Sequence, residues 1–435
     1  MNVLLIHPPT DSSYSGRENK SLMSVPVGLE LIAKAADRPG RNIRVVDGNK
    51  SSLDEIMRMI DAGDADVVGV SDIYSNHKNS LAILEAAKKR GAVTVIGGPN
   101  ANHLAERILY NNWFVDYAIR GDGEEAFNNI VSGKPLENIS NLSYREKGSV
   151  LSNPTKEAGM NTLFNLEHID HSAYSRSVHM PLSSIRGCIK ASLYERCSFC
   201  SIDHKLKLMA PELVWEQVRI LKEDYGFDYF FETGDSFIVS DYPERLLESR
   251  PESLKGVRFK VYATPESIDD AVAETLSSLN VSCIFLGSEA ANKDLLARIG
   301  KRHSKYDVLR VIDMIRQRDV HLLIPFMFGL PGETISSMEE NYAFAQKVLE
   351  KHSSTSFLVS KAIPLIGSKL FKDLAKNGRV RSEYRGDLEK DDLIDYGQLW
   401  ELQTELFTSV KADDIELYCR KTNELLGEGQ AGYGI

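Results

Sequence analysis

Short apolar runs alternate with amphipathic stretches along the first third of the chain. Nearly continuous runs occur at Asn2–Ile6, Asn42–Val46, Asp66–Val70, Ala92–Ile96 and Val115–Ile119, the pattern of strands buried on both faces of a parallel sheet. Between them, helical spacing predicts helices over Val27–Ala36, Leu53–Ile60, Leu81–Arg90, Ala101–Tyr110 and Glu124–Val131. In the third of these, positions 81, 83, 84 and 87 are apolar, and Lys88, Lys89 and Arg90 sit where cations suit the helix dipole. Gly91 ends that helix. The alternation predicts an α/β fold that opens with a doubly wound, flavodoxin-like parallel sheet over residues 1–135. Such sheets bind ligands at the carboxyl ends of their strands.

Residues 136–181 read as a connector, broken by Gly148, Pro154 and Gly159, with a short hairpin over 139–153. A second strand–helix series then begins. Its strands are predicted at Ser183–Gly187, Asp228–Glu232, Val257–Tyr262, Val281–Leu286, Val320–Phe328 and Thr355–Val359. Helical runs fall at Pro211–Asp224, Asp241–Leu247, Glu266–Leu279, Ala291–Arg318 and Glu333–Glu350. Six such units predict a partial (β/α)6 TIM-like barrel over 182–372, with its chemistry at the carboxyl ends of the strands. The remainder, 373–435, reads as a small helical region with helices at Leu388–Asp395, Tyr396–Val410 and Ile415–Leu426, and a frayed Gly-rich tail from Gly427.

Composition narrows the class. The 435 residues are 42% hydrophobic and 26% charged, ordinary for a soluble globular protein. A net charge of −10 argues against a nucleic-acid binder, which carries a basic face. No uncharged apolar run approaches the ~18 residues of a membrane span. Met1–Ile6 lacks a basic signal region and reads as a strand. With few cysteines and no secretion signal, the expected compartment is a reducing cytosol.

Three of the five cysteines, Cys188, Cys197 and Cys200, lie in one predicted loop. Closely spaced thiolates are the soft donors that iron–sulfur clusters and zinc select. A zinc site completed by His204, or a chance grouping of core cysteines, is the plainer account. A four-iron cluster held by three thiolates keeps one iron open for a substrate. Cys283 sits inside a predicted strand and Cys419 in a helical run, and both read as core.

The run Arg186-Gly187-Cys188 followed by Cys197-Ser198-Phe199-Cys200 resembles the cluster loop of radical SAM enzymes, which use S-adenosylmethionine (SAM) at a [4Fe–4S] cluster. The family spacing has three residues between the first two cysteines, whereas this chain has eight, Ile189 to Arg196. The turns of the first domain extend the resemblance. "VLLIHPP" carries His7, Pro8 and Pro9, "VVGVS" leads to Ser71 and Asp72, "VIGGPNA" carries Gly97, Gly98 and Pro99, and "IRGDGEEAF" carries Gly121, Asp122, Gly123 and Glu124. These resemble the strand ends of the cobalamin-binding domain in B12-dependent radical SAM enzymes. No DxHxxG signature is present, so the resemblance implies cobalamin held without a protein histidine on cobalt. His7 is the one candidate ligand, although a histidine in such a place more often merely caps a strand end.

In the second domain the resemblance assigns SAM contacts. The Glu232-Thr233-Gly234-Asp235 turn sits at the family's Gly-Gly-Glu position, which binds the SAM amine. Asp235 beside Gly234 is the choice there, with Glu232 as competitor. Thr264 is placed near the ribose or carboxylate, though it is also a good N-cap before Pro265. Phe199 adjoins the cluster. Glu289 matches a "GxE" segment, and is also an acid at a helix start. Met327 and Phe328 precede a "GxPGET"-like turn and suit a stacked adenine, as they would any buried strand.

The implied activity is C-methylation: SAM cleavage to a 5′-deoxyadenosyl radical, hydrogen abstraction from an unactivated carbon, and methyl transfer from methylcobalamin. The implied cofactors are a [4Fe–4S] cluster, SAM and cobalamin. The implied partners are a small-molecule or peptide substrate and an external electron donor such as a flavodoxin or ferredoxin. Cyclisation, ring contraction or transfer of another SAM-derived group on the same architecture is the alternative outcome. A non-catalytic corrinoid- or metal-binding regulator is the alternative class.

Overall fold

The structure is a computed structural model describing residues 1–11, 25–175, 179–202 and 204–426. The expected tail from Gly427 lies outside the described residues. The chain forms two compact units, residues 1–175 with 385–394, and residues 176–384 with 395–435.

The first unit is a sheet of order β2-β1-β3-β4-β5-β6-β7. Its strands are β1 (Asn2–His7), β2 (Asn42–Asp47), β3 (Val67–Ser71), β4 (Val93–Gly97), β5 (Tyr117–Ile119), β6 (Leu142–Glu146) and β7 (Ser149–Ser152). The helices are α1 (Val27–Ala36), α2 (Leu53–Asp61), α3 (His77–Lys89), α4 (Ala101–Asn111) and α5 (Glu124–Val131). β1 to β5 pair in parallel, with His7 level with Asp47 and Ser71 level with Gly97. The turns after these strands therefore share one edge. The order 2-1-3-4-5 is the flavodoxin-like one. The hairpin of the connector continues the same sheet, since β6 and β7 add to β5 antiparallel.

Local chemistry sets the helix ends. Ser52 and Glu55 close a capping box on α2. Gly91, at φ +89°, stops α3. The start of α3 lies four residues earlier than apolar spacing predicts, because its first turn is polar: His77 and Ser80 are buried through hydrogen bonds.

The second unit holds six parallel strands in the order β15-β14-β13-β12-β11-β8. These are β8 (Met180–Leu182), β11 (Tyr229–Glu232), β12 (Arg258–Ala263), β13 (Val281–Leu286), β14 (His321–Phe328) and β15 (Thr355–Lys361). The first strand corrects the expected one. Met180–Leu182 pairs with β11, whereas β9 (Ile185–Arg186) turns away to pair antiparallel with β10 (Lys207–Leu208), bracketing the cysteine loop. Inside that loop Ile189–Leu193 forms the short helix α6. The other helices are α7 (Pro211–Tyr225), α8 (Tyr242–Glu248), α9 (Asp270–Ser278), α10 (Lys293–Arg298), α11 (Lys305–Ile315) and α12 (Ile335–Lys351). The expected helix over 291–318 is two helices, because Gly300 takes φ +78° between them. The expected start at Glu266 moves to Asp270, where the Asp269 side chain caps Val272 N.

Strand alternation separates two faces. Phe230 and Phe259 pack with Trp215 of α7, and Phe326 packs with Phe344 of α12, so these residues face the helices. Phe231, Lys260, Tyr262, Phe285 and Met327 alternate with them and line the concave face.

The last helices are α13 (Lys369–Lys376), α14 (Gly378–Glu383), α15 (Tyr396–Phe407) and α16 (Ala412–Glu424). The helix expected over Leu388–Asp395 does not form. Its carbonyls are taken instead by the first unit: Arg107 Nη1 donates to Leu388 O, and Asn111 Nδ2 donates to Lys390 O.

Candidate functional site

In the second unit the cysteine loop leaves β9 through Gly187, whose φ is +80°. A Cβ there would lie 2.6 Å from the backbone of Lys205, so only glycine lets the outgoing and returning strands approach this closely. The Gly187 amide donates to Asp235 Oδ2 at 2.9 Å. The carboxylate after β11 is thereby fixed one residue from Cys188. The CxxC turn closes through Cys200 N to Cys197 O at 3.0 Å, and Ser198 bonds to Ile299 O and to Leu370 N.

All three cysteines are free and half-buried. Burial pushes the Cys200 thiol up to about 11, with Cys197, Asp235 and Cys188 adding to the rise and the Ile202 amide opposing it. Cys188 and Cys197 are thus near enough to act on Cys200. Among the described residues no three His, Cys, Asp or Glu side chains converge closely enough for a single ion. Three half-buried thiols on one loop are a donor set that suits a [4Fe–4S] cluster.

The two competing carboxylates face opposite ways. Glu232 is 1% exposed and borders Trp215, Leu246 and Phe259 on the helix side. Its oxygens accept from Ser184 N at 3.1 Å, Ser184 Oγ at 2.6 Å and Gly234 N at 2.9 Å. Burial pushes its pKa up to about 7 against these donors. Asp235 is half-buried; burial raises its pKa, while Gly187 N and His204 pull the other way.

Glu289 sits at φ +65° after β13 and pairs with Lys301 at 3.1 Å. Lys301 Nζ also donates to Gly287 O and lies 6.0 Å from the Phe199 ring. Burial works against its charge, but Glu289 and then Cys197 outweigh it and raise its pKa. Phe199 and Met327 pack on one apolar group with Leu295, Ile299 and Leu330. Phe328 points the other way and packs against Tyr418, apart from Met327. Thr264 precedes the turn Pro265–Ser267 without a side-chain cap bond. Glu333 closes the turn after β14 by accepting from the Gly329 and Leu330 amides. Lys301 was visible in the sequence as the lysine of the segment that follows Glu289; its pairing with Glu289 was not.

In the first unit the strand-end turns are rich in glycine. Gly97, Gly98, Pro99 and Gly121 are at least partly exposed. Gly98 at φ +103° lies against Asp72, whose backbone a Cβ would meet at 2.7 Å. Asp72 is fully buried and its carboxylate is taken by His77 Nδ1 at 2.9 Å and Asn100 Nδ2 at 3.0 Å. Asp122 accepts from Ala158 N, and Gly123 begins α5 ahead of Glu124. Burial lowers the pKa of His7, with Asp47 opposing. Ser71, Pro8 and Pro9 complete the edge. Glycines at this edge let backbone approach a broad, flat group such as a corrin ring.

Known proteins match the same division. The radical SAM superfamily model matches residues 183–345 and the B12 binding domain model residues 22–131. The chain belongs to the cobalamin-dependent radical SAM enzymes. It is 24% identical to an uncharacterized methyltransferase of Pyrococcus horikoshii, over 80% of this chain and 78% of that protein. It is also 24% identical to the cytidylyl-2-hydroxyethylphosphonate methyltransferase of Streptomyces wedmorensis, over 92% of this chain and 86% of that one. In fold it is similar to the radical SAM methyltransferase TsrM of Kitasatospora setae, solved with cobalamin and a [4Fe–4S] cluster, with a TM-score of 0.69 and 16% identity over 86% of this chain and 74% of that one. No described helix is long and apolar enough to cross a membrane.

Proposed function

We propose that this enzyme methylates an unactivated carbon of a small-molecule or peptide substrate, with electrons from an external donor such as a flavodoxin or ferredoxin in a reducing cytosol. The observation that carries the reading is the Gly187–Asp235 contact, which sets a carboxylate beside the three-cysteine loop in a chain that also has a B12 binding domain. Cys188, Cys197 and Cys200 would hold the cluster. Asp235 would accept the SAM ammonium as a charge-assisted bond, with the Gly234 carbonyl beside it. Thr264 and Glu289 would meet the rest of SAM, and Phe199 and Met327 would exclude water around it. The edge formed by the turns at His7–Pro9, Ser71, Gly97–Pro99 and Gly121–Glu124 would carry the corrin. When bound, these groups supply the 5′-deoxyadenosyl radical and the methyl group; the chain supplies position and a dry site.

Anaerobic reconstitution with iron, sulfide and hydroxocobalamin, followed by SAM and a reductant, tests the reading. Reductive cleavage of SAM to 5′-deoxyadenosine, with methylation of the bound corrinoid, is expected. A reconstituted protein that cleaves no SAM overturns it.

A further inference from the structure

The concave face of the second sheet carries a buried cation that the SAM site does not use. Lys260, in β12, is 7% exposed. Among the described residues its ammonium has no hydrogen bond and no carboxylate partner, and it lies over the Phe231 ring at 4.4 Å. Burial lowers its pKa, and the one group acting against that is the Cys283 thiol, its register neighbour on β13. His179, which meets Phe231 edge-on at 5.0 Å, has a buried Nε2 without a partner. Above this layer Phe231 meets Tyr262 at 5.2 Å, and Tyr262 meets Phe285 at 4.8 Å. Tyr262 and Phe285 are partly exposed, whereas Phe230 and Phe326 on the helix side are fully buried. The Tyr262 and Phe285 rings neighbouring Lys260 on the concave face therefore reach solvent.

An ammonium removed from water with only an aromatic face for compensation is costly. A site lined by aromatic faces with one convergent charge is the form of a small-molecule pocket. We propose that this face binds an organic anion, its carboxylate or phosphoryl end on Lys260 with the His179 ring beside it, and its apolar body along Phe231, Tyr262 and Phe285. This rests on the methyltransferase reading in taking the anion to be the substrate.

The test is equilibrium binding to the reconstituted full-length protein, using phenyl phosphate, phenylacetate and neutral phenylacetamide as probes. At least one anion is expected to bind saturably and more tightly than the amide. Lys260→Met should weaken that anion about ten- to a hundredfold, the range for losing a charge-assisted bond, and leave the amide unchanged. Lys260→Arg should retain the preference. A stronger phenyl phosphate response assigns a phosphoryl end, and a stronger phenylacetate response a carboxylate. Equal binding of anions and amide by the wild type, or undiminished anion binding by Lys260→Met, overturns the site. SAM cleavage without added substrate is measured on the same samples, so loss of the enzyme reading is seen separately.

Discussion

Lys301 and Glu289 form a 3.1 Å ion pair with both side chains at most one-tenth exposed. Taking one charge from such a pair strands the other, at a cost of roughly 3–5 kcal/mol. Lys301→Met should lower the unfolding free energy by that order in a denaturant titration, and Glu289→Gln in the same chain should restore part of it. Since Lys301 also acts on Cys197, the reconstituted cluster of the single variant should reduce at a lower potential, because net charge near a cluster sets its potential. Wild-type stability in Lys301→Met would refute the pairing argument.

The cysteine loop makes a separate prediction. Replacing Cys188, Cys197 and Cys200 by Ala should remove the cluster absorbance and SAM cleavage. Corrinoid binding should persist, since none of the three lies in the first unit. A full [4Fe–4S] signal in the triple variant would show that the ligands are elsewhere.

Asp235 and Glu232 are distinguished by direction. SAM affinity should fall about ten- to a hundredfold in Asp235→Asn, the range for one charge-assisted bond. Glu232→Gln should keep SAM affinity and lose stability instead, since its oxygens serve Ser184 and Gly234. The opposite ranking in a SAM titration would move the amine site onto the last residue of β11.

His77 sets a pH dependence. Its Nδ1 lies 2.9 Å from Asp72 and its Nε2 3.6 Å from Asp392. Burial opposes protonation, yet Asp72 and Asp392 outweigh it and push the pKa up to about 9 from 6.5. A raised folded pKa means the stabilisation is complete below pH 6.5 and fades as pH rises through about 9. Thermal melts across that window should show a decline in the wild type that is absent in His77→Asn. Parallel profiles would mean that His77 is neutral in the folded protein.

Much of this was legible in the sequence, for identifiable reasons. The five parallel strands of the first unit are short apolar runs, with glycine turns after β4 and β5, and both signals are local. Cys188, Cys197 and Cys200 announced themselves by chemistry and spacing. The first barrel strand was misplaced by a few residues because Ser183–Gly187 has the strand pattern, while Met180–Leu182 holds the pairing through backbone bonds that pattern does not encode. The direction of Glu232 was unreadable because its position at the strand end left both faces open. Only the contacts with Ser184 and the Trp215 side of the sheet decide it. Residues 388–395 carry helical periodicity, but Arg107, Asn111 and Asn112 take up the segment's polar groups, and these tertiary bonds override a weak local preference.

Residues 385–394 belong to the first unit although more than two hundred residues of the second precede them. During synthesis from the amino end, His77 and Asn111 wait for Asp392 until residues 176–384 of the second unit have been made. The first unit can assemble its sheet early, but its last partners arrive only after the barrel strands have left the ribosome. A fragment ending at residue 175 therefore lacks part of its own unit, and no single cleavage of the chain yields both units whole.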